Sequence, residues 1–317
     1  MKASKIKKIF SLVLFSGILF VSYGKEKASV SQYKPPIDAT TDLHAFFKFT
    51  GDGSIIVSGH RGGLETGYPE NSLEGLQNVL KQMPAFFEID PRLTKDSVIV
   101  LMHDAELDRT SNGAGKLSNY TWTELQSLRL KDKDGKITNC KIPTLEEVIL
   151  WSKGKTVVNL DKKDVPMEMI VEIIKKCRAE NNIMLTVHTG AQARYYYDRF
   201  PNIMLSVFAR DNKEYEDIAI SGVPWRNMIA YVGYSINEKN IHIVKKLHEN
   251  GVRCMISVSP THDRLKSAAE RAEAYKKEIA LKPDIIESDL PLEIFQAISH
   301  LRSNFSQPAQ QAPHKQR

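Results

Sequence analysis

The sequence predicts an α/β chain whose strands close into a (β/α)8 TIM barrel, and three observations carry that prediction. Short β-branched runs alternate with helical stretches from residue 55 to residue 288, as parallel βα units require. Two of the nine runs lie too close together to be parallel neighbours, which removes the surplus strand. The 317 residues exceed the roughly 250 that one such barrel occupies.

The first run, 55–59, ends in His60-Arg61-Gly62-Gly63. The next two, 86–90 and 98–103, are joined by a short segment containing Thr94-Lys95-Asp96-Ser97. A parallel crossover takes about a dozen residues, so these two are expected to pair as an antiparallel hairpin rising from the barrel rim. With the turn centred on Lys95-Asp96, residue 88 faces residue 103 and residue 90 faces residue 101, or one position away if the turn is bulged; His103 then returns beside Glu88. The runs at 156–161, 183–188, 203–208, 228–232, 252–257 and 284–288 complete the barrel. Helices are expected over 71–83, 145–152, 167–180, 214–220, 239–250 and 265–281, with Lys153-Gly154 and Asn250-Gly251 as stops. The stretch 107–142 lacks barrel periodicity and holds Asn112-Gly113 and Thr121-Trp122-Thr123-Glu124-Leu125. It reads as a small insertion after the His103 segment, standing over the barrel mouth.

Composition is that of a soluble globular enzyme, with 42% hydrophobic and 26% charged residues. The net charge of +6 gathers toward the two ends, and no basic stripe is interleaved with aromatics, so no nucleic-acid partner is expected. Lys2, Lys5, Lys7 and Lys8 precede an apolar stretch over 9–21, and Ser22-Tyr23-Gly24 offers small residues for cleavage. Residues 1–24 therefore read as a cleavable signal peptide, with an uncleaved anchor as the alternative. The mature protein is expected to be periplasmic or secreted, with no stable membrane span. Residues 25–41 form a linker or N-terminal arm, 42–305 the catalytic domain, and 306–317 a disordered tail. Cys140, Cys177 and Cys254 are too few and too far apart for a disulfide framework or a Cys-x-x-Cys metal site.

The chemistry gathers at strand ends. Glu88 and Asp90 are two apart on one strand and share its inner face. Carboxylates placed side by side repel unless a proton or cation compensates them, which points to a hard divalent cation. Asp161 ends another strand and completes a three-carboxylate set. Asn159 and Lys163 share its face, so the Lys163 ammonium is aimed at whatever anion the metal holds. His60 and His103 suit a general acid and base near neutral pH. Arg61 offers a bidentate fork for phosphate or carboxylate. Together these groups suit phosphodiester hydrolysis.

The ordered motifs His60-Arg61-Gly62, Pro69-Glu70-Asn71-Ser72, Glu88-Ile89-Asp90, Leu93-Thr94-Lys95-Asp96, His103-Asp104, Leu107-Asp108-Arg109-Thr110, Ile142-Pro143-Thr144-Leu145 and the late Ile285-Ile286-Glu287-Ser288-Asp289-Leu290-Pro291 resemble the glycerophosphodiester phosphodiesterase family. The resemblance implies a (β/α)8 barrel acting on small-molecule glycerophosphodiesters, with glycerol 3-phosphate and an alcohol as products. It implies His60 and His103 as the acid/base pair, Glu88, Asp90 and Asp161 as ligands of one divalent cation (Ca²⁺, alternatively Mg²⁺), and Arg61 and Lys163 as phosphate contacts. Attack by the substrate's own hydroxyl and attack by water are both open.

Two residues depart from the family pattern. Asp161 stands where glutamate is commoner, and Met255 stands where many relatives carry tryptophan at the substrate's apolar end. Tyr195, Tyr196 and Tyr197 either wall the site or pack as a helix face, the latter being favoured. Asn71 is expected to cap the helix that begins near Ser72. Asp104 either orients His103 or caps the next turn. Rival functions are a lipid phosphodiesterase acting on lysophospholipids, a catalytically silent binding protein, and a sugar isomerase or aldolase with Lys163 as a Schiff-base lysine.

Overall fold

Every β-branched run picked out above contains a strand in the computed structural model, which describes residues 37–306. The signal segment, most of the 25–41 arm and residues 307–317 lie outside the described residues. The strands are β1 (Ile56–Gly59), β2 (Phe86–Ile89), β3 (Pro91–Leu93), β4 (Ile99–Leu101), β5 (Val158–Leu160), β6 (Ile183–Val187), β7 (Met204–Phe208), β8 (Met228–Gly233), β9 (Arg253–Ser257) and β10 (Ile285–Ser288). All except β3 and β4 join in one closed parallel barrel, in the order β1-β10-β9-β8-β7-β6-β5-β2. The helices are α1 (Leu43–Phe47), α2 (Leu73–Gln82), α3 (Trp122–Leu125), α4 (Leu145–Ser152), α5 (Met167–Cys177), α6 (Gly190–Tyr197), α7 (Asn212–Ile220), α8 (Ile241–Glu249), α9 (Ala268–Ala280) and α10 (Pro291–Ser306).

The strands are buried on both faces, because one face lines the barrel and the other meets the helices. Facing the helices are Val57, Phe87, Ile89, Val158, Leu185, Leu205, Ala230, Cys254 and Ile286, all in one core with the inner sides of the helices. Residues of opposite parity fill the interior in two tiers. The lower tier is Ile56, Phe86, Val157, Met184, Met204, Ile229, Met255 and Ile285, none more than 4% exposed. Leu43 and Phe47 of α1 close it from below, Phe47 meeting Phe86 edge-on at 5.4 Å. Arg253 anchors that plug by donating to the carbonyls of Lys48 and Ser54, each at 3.1 Å. Two residues further along each strand the interior turns polar, with Ser58, Glu88, Asn159, Thr186, Ser206, Ser257 and Glu287. The apolar floor beneath makes this polar tier reachable only from the C-terminal mouth.

The hairpin takes the bulged-turn alternative to the centred register, one position along. β2 stays in the barrel, and the separate β3 begins after Asp90 to pair antiparallel with β4: Pro91 with Leu101, Arg92 with Val100, Leu93 with Ile99. Thr94 closes the turn by bonding Val98 through backbone and hydroxyl. This is the one-position shift of a bulged turn, and it changes which side chains meet. Met102 N donates to the Asp90 carbonyl, so His103 comes back toward Asp90 rather than beside Glu88. Val100 and Met102 join Leu107, Leu117, Leu125, Leu130, Cys140 and Ile142 in a small separate core that stabilises the 107–142 insertion.

Helix ends follow their caps. Thr144 and Ser267 form capping boxes with Glu147 and Glu270, starting α4 and α9. Ser72, not Asn71, caps α2 by accepting from Gly75 N. α6 and α10 were absent from the predicted set. α6 carries the tyrosine triplet: Tyr196 is buried in the outer core and Tyr195 packs beside it, with Arg199 over its ring at 3.5 Å, so the triplet packs the helix layer and does not wall the site. Cys140, Cys177 and Cys254 are buried free thiols. Among the described residues no helix is long and apolar enough to cross a membrane.

Candidate active site

The C-terminal mouth of the barrel brings together all seven residues singled out in the sequence. β1 ends in a single 3-10 turn over His60–Gly62, in which Arg61 sits in the left-handed region at φ 53°. That conformation is uncommon for a side-chain-bearing residue and marks an over-determined site. It is held by Arg61 N, which donates to Glu88 Oε2 at 3.0 Å. Gly62 follows at φ +85°, where a Cβ would also lie 2.9 Å from Leu76 Cδ2.

His60 Nδ1 lies 2.6 Å from Asp289 Oδ1, and its Nε2 faces Glu88 Oε2 at 3.9 Å. Burial by itself would lower the His60 pKa, but the Asp289 hydrogen bond and the charges of Glu88 and Glu287 raise it to about 10. His103 is held differently. Its Nδ1 is 2.7 Å from Asp104 Oδ1, which settles the role of Asp104 as the group that orients the ring. Burial lowers its pKa below the ordinary histidine value, and the nearby Arg61 and Lys163 cations add to that against the pull of Asp90 and Asp104. One imidazole is thus held protonated and the other neutral.

Glu88, Asp90 and Asp161 offer ligand oxygens that all lie within 4.8 Å of one another. Burial, then the Asp90 charge, pushes Glu88 well above the usual carboxylate range. Burial also opposes Asp90, yet Lys163, His103, Arg61 and the Asn71 amide bring it below that range. Lys163 Nζ bridges Asp90 Oδ1 at 3.0 Å and Asp161 Oδ2 at 2.6 Å, so the shorter Asp161 does reach the cluster. Three hard oxygen donors short of positive charge fit a divalent cation. The pair of bonds and its raised pKa keep Lys163 an ammonium, contrary to the needs of a Schiff-base lysine.

Asn71 takes a different role from the expected cap, and Glu70 and Arg109 gain roles that the sequence does not assign. Asn71, at φ 55°, gives its amide to Asp90 Oδ2 at 2.6 Å and takes Asp90 N at 3.0 Å, which clamps the metal-side carboxylate. Arg109, from the insertion, binds Glu70 with both terminal nitrogens at 2.8 and 2.7 Å and Asp104 at 2.6 Å. Glu70 in turn receives Arg61 at 3.2 Å. The insertion thereby ties the His103 side of the mouth to the His60 side. Arg61 Nε is buried and, among the described residues, has no hydrogen-bond partner, with Asp90 Oδ2 at 3.7 Å. Met255 lies in the apolar lower tier; the β9 residue in the polar tier is Ser257, registered with Glu287. On the far side, Phe208 stacks on His188 at 4.4 Å and meets Tyr231 edge-on at 5.1 Å, making an aromatic rim.

Imidazoles poised in opposite protonation states around a cation-ready acidic cluster suit cleavage of a phosphate ester, and fold and site together define a barrel phosphodiesterase. Residues 60–256 match the Glycerophosphoryl diester phosphodiesterase family, and the chain belongs to it. A crystal structure of a glycerophosphoryl diester phosphodiesterase from Parabacteroides distasonis is 52% identical, with a TM-score of 0.81 over 84% of this chain and 93% of that one. A glycerophosphodiester phosphodiesterase of Bacillus altitudinis is 26% identical over 203 residues, which is 60% of this chain and 79% of that protein. An Oleispira antarctica phosphodiesterase in complex with the product sn-glycerol-3-phosphate shares the fold, with a TM-score of 0.58 at 21% identity, over 77% of this chain and 96% of that one.

Proposed function

We propose that the protein hydrolyses glycerophosphodiesters to glycerol 3-phosphate and an alcohol, with one divalent cation held by Glu88, Asp90 and Asp161. The observation that carries this reading is the convergence of those three carboxylates within 4.8 Å, between two imidazoles of opposite charge preference. The cation, which we take to be calcium with magnesium as the alternative, supplies charge neutralisation at the phosphoryl oxygens when bound. Arg61 and Lys163 hold the non-bridging oxygens. His103, neutral, takes the proton from the attacking hydroxyl, whether of water or of the substrate. His60, protonated, gives its proton to the departing alcohol oxygen as the P–O bond breaks.

We further propose that the chain is exported to the periplasm or beyond, on the strength of the lysine-led apolar segment at 1–24. N-terminal sequencing of protein recovered from cell fractions checks this, and an uncut N-terminus in the cytosolic fraction would refute it. The activity is tested by alcohol release from glycerophosphocholine with chelator present, then with Ca²⁺ or Mg²⁺ restored, beside lysophosphatidylcholine. Release that stops with chelator and returns with metal is expected. Hydrolysis of the lysolipid alone, or turnover indifferent to chelator, would overturn the proposal.

A further inference from the structure

The last barrel strand places a carboxyl in the mouth that makes no close ion pair among the described residues. Glu287 stands in the polar tier, registered between Ser58 of β1 and Ser257 of β9. Ser58 Oγ donates to Glu287 Oε2 at 3.4 Å, and the Ser257 hydroxyl reaches the same carboxyl. Among the described residues no basic nitrogen is in direct ion-pair contact with it, and the His60 charge acts on it from further off, whereas Asp90 in the same mouth has both Arg61 and Lys163. It is also outside the three-carboxylate cation cluster. A buried carboxyl with so few donors is costly unless something else completes its hydrogen bonding.

Its remaining 8% exposure faces the mouth, because the tier beneath it is sealed by Ile56, Met255 and Ile285. Ser58 lies two residues before His60 on β1, so this carboxyl sits one layer, about 7 Å along the strand, below the proposed proton donor. A three-carbon chain hanging from a phosphoryl group beside His60 spans that interval. Two adjacent hydroxyls match the two oxygens of one carboxyl, with Ser58 and Ser257 able to accept or donate beside them. A quaternary ammonium headgroup carries no donor for this floor.

We propose that Glu287, with Ser58 and Ser257, binds the vicinal hydroxyls of the substrate's glycerol end and selects for them. The proposal rests on the phosphodiesterase reading above. It makes the floor a specificity device, because a substrate lacking those hydroxyls leaves the carboxyl unpaired.

The test compares competitive inhibition by sn-glycerol 3-phosphate with that by propyl phosphate, the same anion without the two hydroxyls, using metal-loaded protein. Wild type is expected to bind the glycerol compound about 10-fold more tightly, the scale of one or two hydrogen bonds to a buried carboxyl whose pKa burial raises. In Glu287→Ala the ratio of the two inhibition constants should collapse to about 1–2, because the differential hydrogen bond is gone. Glu287→Gln, which keeps the shape and one acceptor, should fall between and serves as the comparison if the alanine variant does not fold. A wild-type ratio near unity, a ratio unchanged in the variants, or an equal loss for both inhibitors would overturn the assignment. Absence of any glycerophosphodiester hydrolysis would instead strike the reading on which the proposal rests. Hydrolysis without discrimination between the two inhibitors would strike the Glu287 assignment alone.

Discussion

Asp289→Asn is the most informative single change. Asp289 is 5% exposed in its side chain and holds His60 Nδ1 at 2.6 Å, while its own amide is fixed by Asp263 Oδ2 at 2.6 Å. The substitution keeps shape and an acceptor oxygen but removes the negative charge from a hydrogen bond of the charge-assisted class, worth up to about 1.5–3 kcal/mol. If that bond orients and charges His60 in the transition state, kcat should fall about 10- to 150-fold, at 1.36 kcal/mol per tenfold. KM should change little, because Asp289 makes no proposed contact with substrate. The alkaline limb of the pH–rate profile reports loss of the His60 proton, and it should move to lower pH once one of the carboxylates sustaining that proton is neutral. Steady-state kinetics on glycerophosphocholine across pH measures both effects. Wild-type kcat with an unmoved alkaline limb, or a loss confined to KM, would refute the argument.

Replacing Lys163 with methionine should cost about 10²–10³ in kcat, the scale for one preorganised donor. Divalent-cation affinity should hold or rise, since the ammonium bonds two of the proposed ligands; a marked loss by calorimetry would contradict that geometry. In chelator-treated protein His60 is raised from 6.5 to about 10, so its stabilising contribution is full below about pH 6.5 and is lost as pH rises through about 10. Thermal melts of wild type against His60→Asn should therefore converge as pH climbs from 6 to 10.5, and parallel curves would refute this. Phe47→Ala empties the barrel plug, whose ring is 1% exposed. It should destabilise by about 3–5 kcal/mol in denaturant unfolding while leaving the folded enzyme active, and a loss under about 1 kcal/mol would show that the plug is dispensable.

The sequence by itself determined the barrel and the positions of the chemistry. Strand runs buried on both faces cannot be polar except where they line a cavity, so charges at 60, 88, 90, 103, 161 and 163 stood out against an apolar background. Local physics also marked the short 86–103 connection as antiparallel, because chain length forbids a crossover there. Tertiary structure decided what depends on partners distant in the chain. Asp289 reaches His60 from the opposite end of the sequence, and Arg109 joins Asp104 to Glu70 only because the insertion folds back over the mouth. Asn71 looked like a cap until the left-handed backbone turned its amide onto Asp90 and left capping to Ser72. The family resemblance likens Met255 to a tryptophan at the substrate's apolar end, but its register with Ile285 sets it in the apolar floor. The pairing of Lys163 with Asp90 and the placement of Glu287 beside Ser58 and Ser257 follow from closure of the barrel, which brings the ends of β1, β2, β5 and β10 around one small volume.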